Sequence, residues 1–327
     1  MHDGAASAGT AAATLGAIAG HWAGRFLGVD AGGSGTRVAM LEGGTVTDLP
    51  SGAPMNALLT GGFASLLEEI VGAARATAAG IGVPGLSQPD RARELSQLLT
   101  TRTGIPVHVT WDIDTARAGA FLGSPGVVVI AGTGSGALGW NGMTSIKVGG
   151  HGFLLGDEGS AYWIGRAAVR SALRWDDQMG GSEPLHDAVI QTTGCTLEEL
   201  IGQACAHPAE RERFTVLAPV VASLARDDAE ARRILLRAAE HLAELAEGAR
   251  RRLAPPAPAD GATTSESALP VAGAGGVFSS PLVWDHFAEL TGAIRPLAPA
   301  SVGAALLAGQ ALTGQLPPWP SPAHVRA

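Results

Sequence analysis

Lysine is almost absent from this chain of 327 residues, which holds Lys147 alone against 21 arginines. A P-loop nucleotide site needs Gly-x-x-x-x-Gly-Lys followed by Ser or Thr. Because Val148 follows the lysine, the sequence excludes that loop. A protein-kinase site pairs a strand lysine with the phosphates, and this chain has no lysine other than Lys147 for that role.

Cysteine and long apolar runs are also scarce. Cys195 and Cys205 cannot complete a four-thiolate metal site within one chain, and they do not suggest a disulfide framework in a protein of this size. We expect reduced thiols in a cytoplasmic protein. No stretch reaches the roughly 18 apolar residues that a membrane-spanning helix needs, so no membrane partner is expected. Residues 1–24 lack the basic and apolar regions of a signal peptide and are predicted to form a disordered tail.

Positive charge is in deficit as well. The formal net charge is −8 and the isoelectric point is about 5.6, a balance that disfavours a nucleic-acid partner. The apolar fraction of 46% and the charged fraction of 16% are ordinary for a globular enzyme. The length fits two domains.

Glycine, in contrast, is concentrated in two turns of the same construction. Phe26–Val29 runs into Asp30–Thr36, and Val127–Ile130 runs into Ala131–Gly136. A strand that ends in a turn of Gly and hydroxyl residues presents unhindered backbone N–H groups, which suit phosphate oxygens. Two such turns, far apart in the chain, predict two lobes that close on one polyphosphate.

The second turn also matches the dinucleotide-binding pattern Gly-x-Gly-x-x-Gly over Gly134–Gly139. That fingerprint must open a helix, whereas the following Trp140-Asn141-Gly142 is typical of a turn. The dinucleotide interpretation is therefore rejected.

Strands and helices alternate along the chain, which favours an α/β protein. The spacing of apolar residues predicts a three-stranded meander over 26–49, a strand over 79–83, a strand over 105–111 and a hairpin within 138–148. It also predicts helices over 63–78, 90–103, 160–175, 217–253 (with a break near residue 227) and 301–312.

Asp30 ends the first strand, directly before the first glycine turn. A carboxylate that faces a phosphate is repelled unless a cation lies between them. Asp30 therefore implies Mg²⁺, held through water, although an aspartate at this place can also cap the turn.

Four motifs carry a family resemblance: Gly28–Arg37, Gly132–Ser135, Gly156–Gly165 and Val271–Phe278. The first, second and fourth resemble the two phosphate loops and the adenosine loop of the actin, sugar-kinase and heat-shock-chaperone superfamily. The third resembles the BadF/BadG/BcrA/BcrD ATPase family and, within it, the N-acetylglucosamine kinase branch. The resemblance implies an α/β, two-lobed actin-like ATPase (ribonuclease H-like) fold with the active site in the interlobe cleft. We place the N-terminal lobe at 25–123 and the C-terminal lobe at 124–327.

The resemblance also implies the function and the nucleotide-binding residues. It predicts an ATP- and Mg²⁺-dependent kinase that phosphorylates N-acetylglucosamine or glucosamine at O6, acting on a small-molecule sugar as a homodimer. A side chain at either glycine of the adenosine loop would block the base. The residues expected to contact ATP are Gly32, Gly33, Ser34, Gly35, Thr36, Thr133, Gly134, Ser135, Gly275 and Gly276.

Phosphoryl transfer needs one carboxylate to orient the acceptor hydroxyl and to accept its proton. Family kinases place that aspartate at a strand end before the second phosphate loop, where Asp112 and Asp114 both qualify. The register to Gly119-Ala120 resembles the family pattern when Asp112 is the base. Asp114 is then a residue of the first helical turn, favourable to the helix dipole.

For the sugar, the resemblance implies contacts from Asn56, from backbone groups near Gly150 and from Asp157, which could otherwise be a helix-capping residue. His151 departs from the family, which often carries Trp in this Gly-Gly-Trp-Gly segment. Imidazole is smaller and more polar than indole. The departure leaves unacetylated glucosamine, N-acetylmuramic acid or glucose open as substrates.

Two other functions remain open at this point. Some members of the resembled family are ATPase activators of dehydratases or reductases and carry cluster-ligating cysteines, but Cys195 and Cys205 lie away from any Gly-flanked cluster site. A sugar-sensing regulator is the other, although no helix-turn-helix appendage is visible.

Overall fold

The computed structural model describes residues 12–20, 22–32, 35–52, 69–71, 74–86, 88–206, 211–254 and 268–314. Its strands are β1 Arg25–Gly32, β2 Gly35–Glu42, β3 Thr45–Gly52, β4 Ala78–Val83, β5 Val107–Trp111, β6 Gly126–Ala131, β7 Ser135–Trp140, β8 Ser145–Gly149 and β9 Val271–Ala274.

The helices form two groups along the chain. The first group is α1 12–19, α2 (described over 69–71), α3 Pro89–Thr103 and α4 Asp112–Ala120. The second group is α5 Ala161–Asp176, α6 Glu183–Thr193, α7 Leu197–Ala206, α8 Glu212–Thr215, α9 Leu217–Leu224, α10 Ala229–Leu253, α11 Pro281–Thr291 and α12 Ala300–Thr313, with a 3-10 turn at Gly276–Ser279.

The first sheet has the order β3-β2-β1-β4-β5. The meander β1–β3 is antiparallel, whereas β4 runs parallel to β1 and β5 runs parallel to β4. The register places Asp30 opposite Gly82, and Gly82 opposite Thr110. Because parallel strands end at the same edge of a sheet, residues that follow β1 and β5 share that edge.

The closing helix α12 packs on this sheet with close backbone contact. A Cβ atom on Gly28 would lie 1.8 Å from the Ser301 carbonyl oxygen, and one on Gly80 would lie 1.9 Å from that of Ala304. Glycine at these two strand positions is what lets the helix approach. Leu306 and Leu307 of the helix are fully buried.

The N-terminal segment differs from its prediction. Residues 12–19 form α1 where a disordered tail was expected, while residues 1–11 lie outside the described part of the chain. Leu15 and Ala19 are one helical turn apart and are buried in a cluster with Phe26 and Leu41. Two buried apolar residues on one face give this helix its anchor.

The second sheet has the order β8-β7-β6-β9. Val127, Val128 and Val129 of β6 are fully buried, as expected for a central strand covered on both faces. The long helix α10 is capped by Asp228, whose side chain accepts a hydrogen bond from the Ala231 N–H group at 2.7 Å. This N-cap is the predicted break near residue 227.

The chain divides into two compact units. The first contains Met1–Val128, Leu138–Ile146 and Arg295–Ala327, and the second contains Val129–Ala137 and Lys147–Ile294. The lobe boundary expected at residue 123 stays a prediction, but the closing helix packs with the first unit rather than with the segment before it. Over the described residues, no helix combines the length and apolar character that crossing a membrane requires.

Candidate active site

Two carboxylates lie at the edge of the first sheet where β1 and β5 end. Asp30 belongs to the end of β1, and its side chain is 15% exposed. Asp112 directly follows β5 as the first residue of α4 and is half-buried. The Ile113 N–H group donates to its Oδ1 at 2.9 Å. The strand end and the helix start together fix where this carboxylate lies.

The electrostatics of this pair favour a bound cation. Burial, and after it the nearby Asp112, raise the pKa of Asp30 to about 6. Arg37 opposes the shift, but its Nη1 lies 4.0 Å from Asp30 Oδ2 and its side chain is 74% exposed. A divalent ion would stabilise both carboxylates, and carboxylate oxygen is the ligand that Mg²⁺ prefers. The donor set therefore fits Mg²⁺ held with the help of water, since the described residues contain no cluster of three His, Cys, Asp or Glu ligands.

Asp114, the other candidate base, has a different environment. It is 4% exposed, and its Oδ1 accepts a hydrogen bond from Arg117 Nε at 3.0 Å. The Thr110 hydroxyl donates to its Oδ2 at 3.3 Å. Arg117 is fully buried, and its guanidinium lies 4.8 Å from the centre of the Trp140 ring. A buried carboxylate engaged in this way has a structural role in α4, and the choice of Asp112 as the base stays a prediction.

The first glycine turn is described at its two sides. Gly32 pairs with Gly35 and Ala31 pairs with Thr36 across β1 and β2, and Thr36 is 1% exposed. Gly33 and Ser34, which join the strands, lie outside the described residues, as does Asn56.

The second glycine turn is held by the start of α5. The Ala161 N–H group donates to the Gly132 carbonyl at 2.8 Å, and the Tyr162 N–H group donates to that of Thr133 at 3.4 Å. Within a trans peptide plane the carbonyl and the N–H group point in opposite directions. The Thr133 and Gly134 N–H groups therefore point away from α5. These two donors suit phosphate oxygens, so the turn fits a nucleotide.

Asp157 completes this arrangement from the turn before α5. It is 5% exposed and adopts φ +60°, a left-handed conformation that is uncommon outside glycine. Its Oδ1 accepts the Ser135 N–H group at 3.4 Å, and the Ser135 hydroxyl donates to the Glu158 carbonyl at 2.6 Å. Burial raises the pKa of Asp157, while the Ser135 amide and Arg211 oppose that rise. In the described structure this carboxylate supports the second glycine turn, and its contact with a sugar stays a prediction.

Two cations near Asp157 were not among the residues predicted from the sequence. Arg211 Nη1 lies 3.7 Å from Asp157 Oδ2. Lys147 also lowers the pKa of Asp157, and its Nζ donates to the Gly150 carbonyl at 3.3 Å. For Lys147 a signal existed, because the chain's one lysine stands two positions before Gly149-Gly150. Arg211 is distant in sequence from the motifs, so no sequence signal marked it.

The Gly149–Gly150 turn agrees with its glycine content. Both residues have positive φ, +71° and +66°, and a Cβ atom on Gly150 would lie 2.8 Å from Lys147 Nζ. His151, which follows, is exposed, and its Cβ atom lies 3.1 Å from where a Cβ atom on Gly156 would be. The structure thus places the predicted sugar residues Gly150, His151 and Asp157 in one loop region.

The two glycines of the predicted adenosine loop differ in their environment. Gly275 has φ +104°, and a Cβ atom there would lie 2.4 Å from the Ala131 carbonyl oxygen. Packing against β6 therefore requires glycine at this position, independent of any bound ligand. At Gly276 no described atom lies within 4 Å of the Cβ position, which leaves room for a base.

These features define a protein of the actin-like ATPase fold, with two α/β units that each carry a strand followed by a glycine turn. The chain belongs to the BadF/BadG/BcrA/BcrD ATPase family, which matches residues 27–308. Membership implies the use of ATP.

The chain is similar in sequence or structure to three individual proteins. An N-acetylmuramic acid/N-acetylglucosamine kinase of Clostridium acetobutylicum is 33% identical over 139 residues, which are 42% of this chain and 45% of that protein. The chain thus matches less than half the length of this curated relative. The structure of a candidate N-acetylglucosamine kinase from Chromobacterium violaceum is 26% identical with a TM-score of 0.66, covering 88% of this chain and 99% of the other. A ROK family glucokinase from Streptomyces griseus, solved with glucose and AMPPNP, shares the fold at 18% identity and a TM-score of 0.52, with 88% and 100% covered.

Proposed function

We propose that this chain is an ATP-dependent kinase that phosphorylates an amino sugar, N-acetylglucosamine or glucosamine, at O6. The observation that carries the proposal is the carboxylate pair at the first sheet edge. Asp112 is half-buried, follows a strand and raises the pKa of Asp30. The sugar-kinase relatives described above support the choice of a sugar as acceptor.

The chain's own groups divide the work of phosphoryl transfer between them. Asp112 orients the acceptor hydroxyl and accepts its proton, since it is half-buried at the strand end, whereas Asp114 is buried and engaged by Arg117 and Thr110. The Thr133 and Gly134 N–H groups bind phosphate oxygens. Asp30 holds Mg²⁺, which neutralises phosphate charge when bound.

The sugar is assigned to Asn56, His151, Asp157 and the backbone of Gly150. Asp157 already bonds the Ser135 amide through Oδ1, so a sugar hydroxyl would have to share the carboxylate with that amide. His151 is exposed and leaves more space than the indole it replaces. An acetyl group would therefore make less apolar contact here than with an indole. For this reason the proposal includes glucosamine as an acceptor as well as N-acetylglucosamine.

Sugar-dependent ADP release tests the proposal. The purified protein with Mg²⁺ and ATP is assayed with glucosamine, N-acetylglucosamine, N-acetylmuramic acid and glucose, and products are identified by mass spectrometry. We expect one of the amino sugars to give equal amounts of ADP and sugar 6-phosphate. ADP release that no sugar accelerates would overturn the proposal.

The same preparation distinguishes the activator function. Such an activator needs a cluster bound by cysteines, whereas the Cys195 thiol here accepts a hydrogen bond from Gln203 Nε2 of α7 at 3.7 Å. Protein purified anaerobically should therefore show no iron–sulfur absorption. A cluster band together with sugar-independent ATP hydrolysis would favour the activator.

A further inference from the structure

Arg211 is a cation beside the second glycine turn that has no role in the function proposed above. Its Nη1 lies 3.7 Å from Asp157 Oδ2, a distance that allows charge attraction but exceeds a hydrogen bond. Its guanidinium also lies 5.7 Å from the centre of the Phe153 ring. Among the described residues no hydrogen bond from this guanidinium is found, and the side chain is 36% exposed. A planar group with five donors is thus held in place with its donors available.

The charge around Arg211 is not consumed by Asp157 alone. That carboxylate also accepts the Ser135 N–H group and is attracted by Lys147, while Glu158 opposes it. Glu158 is exposed to solvent, where its charge is screened. Two cations therefore act on one buried carboxylate, and the carboxylate that opposes them lies in solvent.

The position of Arg211 relative to the turn is fixed by Asp157. The same Oδ2 atom that faces Arg211 would lie 2.8 Å from a Cβ atom on Gly134. Gly134 and Thr133 carry the N–H groups that point away from α5. One carboxylate oxygen thus lies beside both the guanidinium and the Gly134 backbone. Amide donors and guanidinium groups are the ones that bind oxyanions in proteins.

We propose that Arg211 binds an oxyanion held at the second glycine turn, and that Asp157 positions its guanidinium. The proposal rests on the kinase function above. Two sources can supply that oxyanion: the phosphoryl group that is transferred from ATP, or a carboxylate carried by the amino sugar. Arginine suits either one, because its fork matches the oxygens of phosphate and carboxylate.

The two sources are separated by a pair of sugars and three variants. N-acetylglucosamine is neutral, whereas N-acetylmuramic acid carries a carboxylate. Arg211→Gln removes the charge, and Arg211→Lys keeps the charge without the fork. Arg226→Gln is the control, since Arg226 is an exposed arginine in the turn after α9. Thermal melting checks that each variant is folded.

If the oxyanion is the transferred phosphoryl group, Arg211→Gln lowers kcat/KM about 10- to 100-fold with both sugars. If it is a sugar carboxylate, the loss is confined to N-acetylmuramic acid and lies mainly in KM. In either case Arg211→Lys recovers part of the activity and the control matches wild type. Equal kcat/KM in Arg211→Gln, the control and wild type, for both sugars, overturns the proposal.

Failure of the kinase function is distinguishable from failure of this inference. If the wild type releases no ADP with any sugar, calorimetric titration with ATP and Mg²⁺ replaces the assay. Arg211→Gln should then bind either ATP or N-acetylmuramic acid, titrated in the same way, about tenfold more weakly than wild type. Unchanged affinity for both ligands in an inactive protein overturns the inference as well.

Discussion

The two glycine turns look alike in sequence but differ in charge. At the first turn, burial and the charge of Asp112 raise the pKa of Asp30 to about 6, and an exposed arginine opposes that rise. At the second turn, Asp157 lies among the Ser135 amide, Arg211 and Lys147. The first region therefore sets two carboxylates against one exposed arginine, whereas the second sets two cations around one buried carboxylate. The roles proposed above assign different ligands to these similar turns, a cation beside the first and an oxyanion beside the second.

The two glycine turns also differ in their hydrogen bonds. The second turn is tied to α5 and to the turn before it by bonds to Gly132, Thr133 and Ser135. These bonds orient its N–H groups before any ligand binds, which lowers the ordering cost of binding. In the first region it is the carboxylates that are placed in advance, by a strand end and a helix start.

The largest expected effect comes from Asp112→Asn in the first region. An amide cannot accept the proton of the acceptor hydroxyl, so kcat should fall about 10²- to 10⁴-fold. Nucleotide binding at the second turn should persist, and calorimetry with ADP measures it. Asp90→Asn, an exposed carboxylate on α3, serves as the control. Wild-type turnover in Asp112→Asn would contradict the role assigned to this residue.

Asp114→Asn tests whether Asp114 has a structural role in the first region, in contrast to the catalytic role proposed for Asp112. It removes the partner of the fully buried Arg117, and leaving such a charge uncompensated costs about 3–5 kcal/mol of the free energy of unfolding. Urea unfolding measures this loss. The matched control is again Asp90→Asn, because Asp90 and Arg93 form an exposed pair at the same spacing, worth no more than about 1 kcal/mol. Equal losses in the two variants would refute the distinction.

Asp30→Asn should stabilise the free protein while it weakens Mg²⁺-dependent activity. The pKa of Asp30 is higher in the folded protein than its ordinary value of 3.8, so the folded state keeps the proton longer than the unfolded state. Stability is then lost as the pH rises from about 4 to about 6, by up to about 3 kcal/mol. The variant should therefore unfold at higher urea concentration than wild type at pH 8 and match it at pH 4. A variant that is less stable than wild type at pH 8 would contradict the charge imbalance.

The smallest expected effect concerns Asp157 in the second region. At φ +60° alanine costs about 1–2 kcal/mol, whereas asparagine tolerates the left-handed conformation better. Asp157→Ala should therefore lose more of the free energy of unfolding than Asp157→Asn, as measured in urea. If the two variants are equally stable, the backbone at this position is not strained.

Local patterns in the sequence predicted much of the fold. The meander, β4 and the break before α10 agree with the structure, because each depends on residues within one short window. The helix predicted over 63–78 is described as helical only at 69–71, and β4 already begins at Ala78. The predicted base Asp112 lies where a strand end and a helix start place it.

Features that depend on distant residues were not predictable. The closing helix packs on the first sheet because Gly28 and Gly80 leave room for its backbone, yet these glycines are far from it in the chain. The helix over 12–19 is stable only because the core offers a place for Leu15 and Ala19. Arg211 joins the second glycine turn through a tertiary contact with Asp157, and no local pattern marks it.

The central claim is that Asp30, beside the carboxylate of Asp112, holds a cation for phosphoryl transfer. An NMR titration of the Asp30 carboxyl carbon tests it most directly. We predict a pKa of about 6 in the free protein, a lower value in Asp112→Asn, and a lower value in the wild type once Mg²⁺ and ADP are added. A pKa near 4 in the free protein that neither change moves would contradict the account.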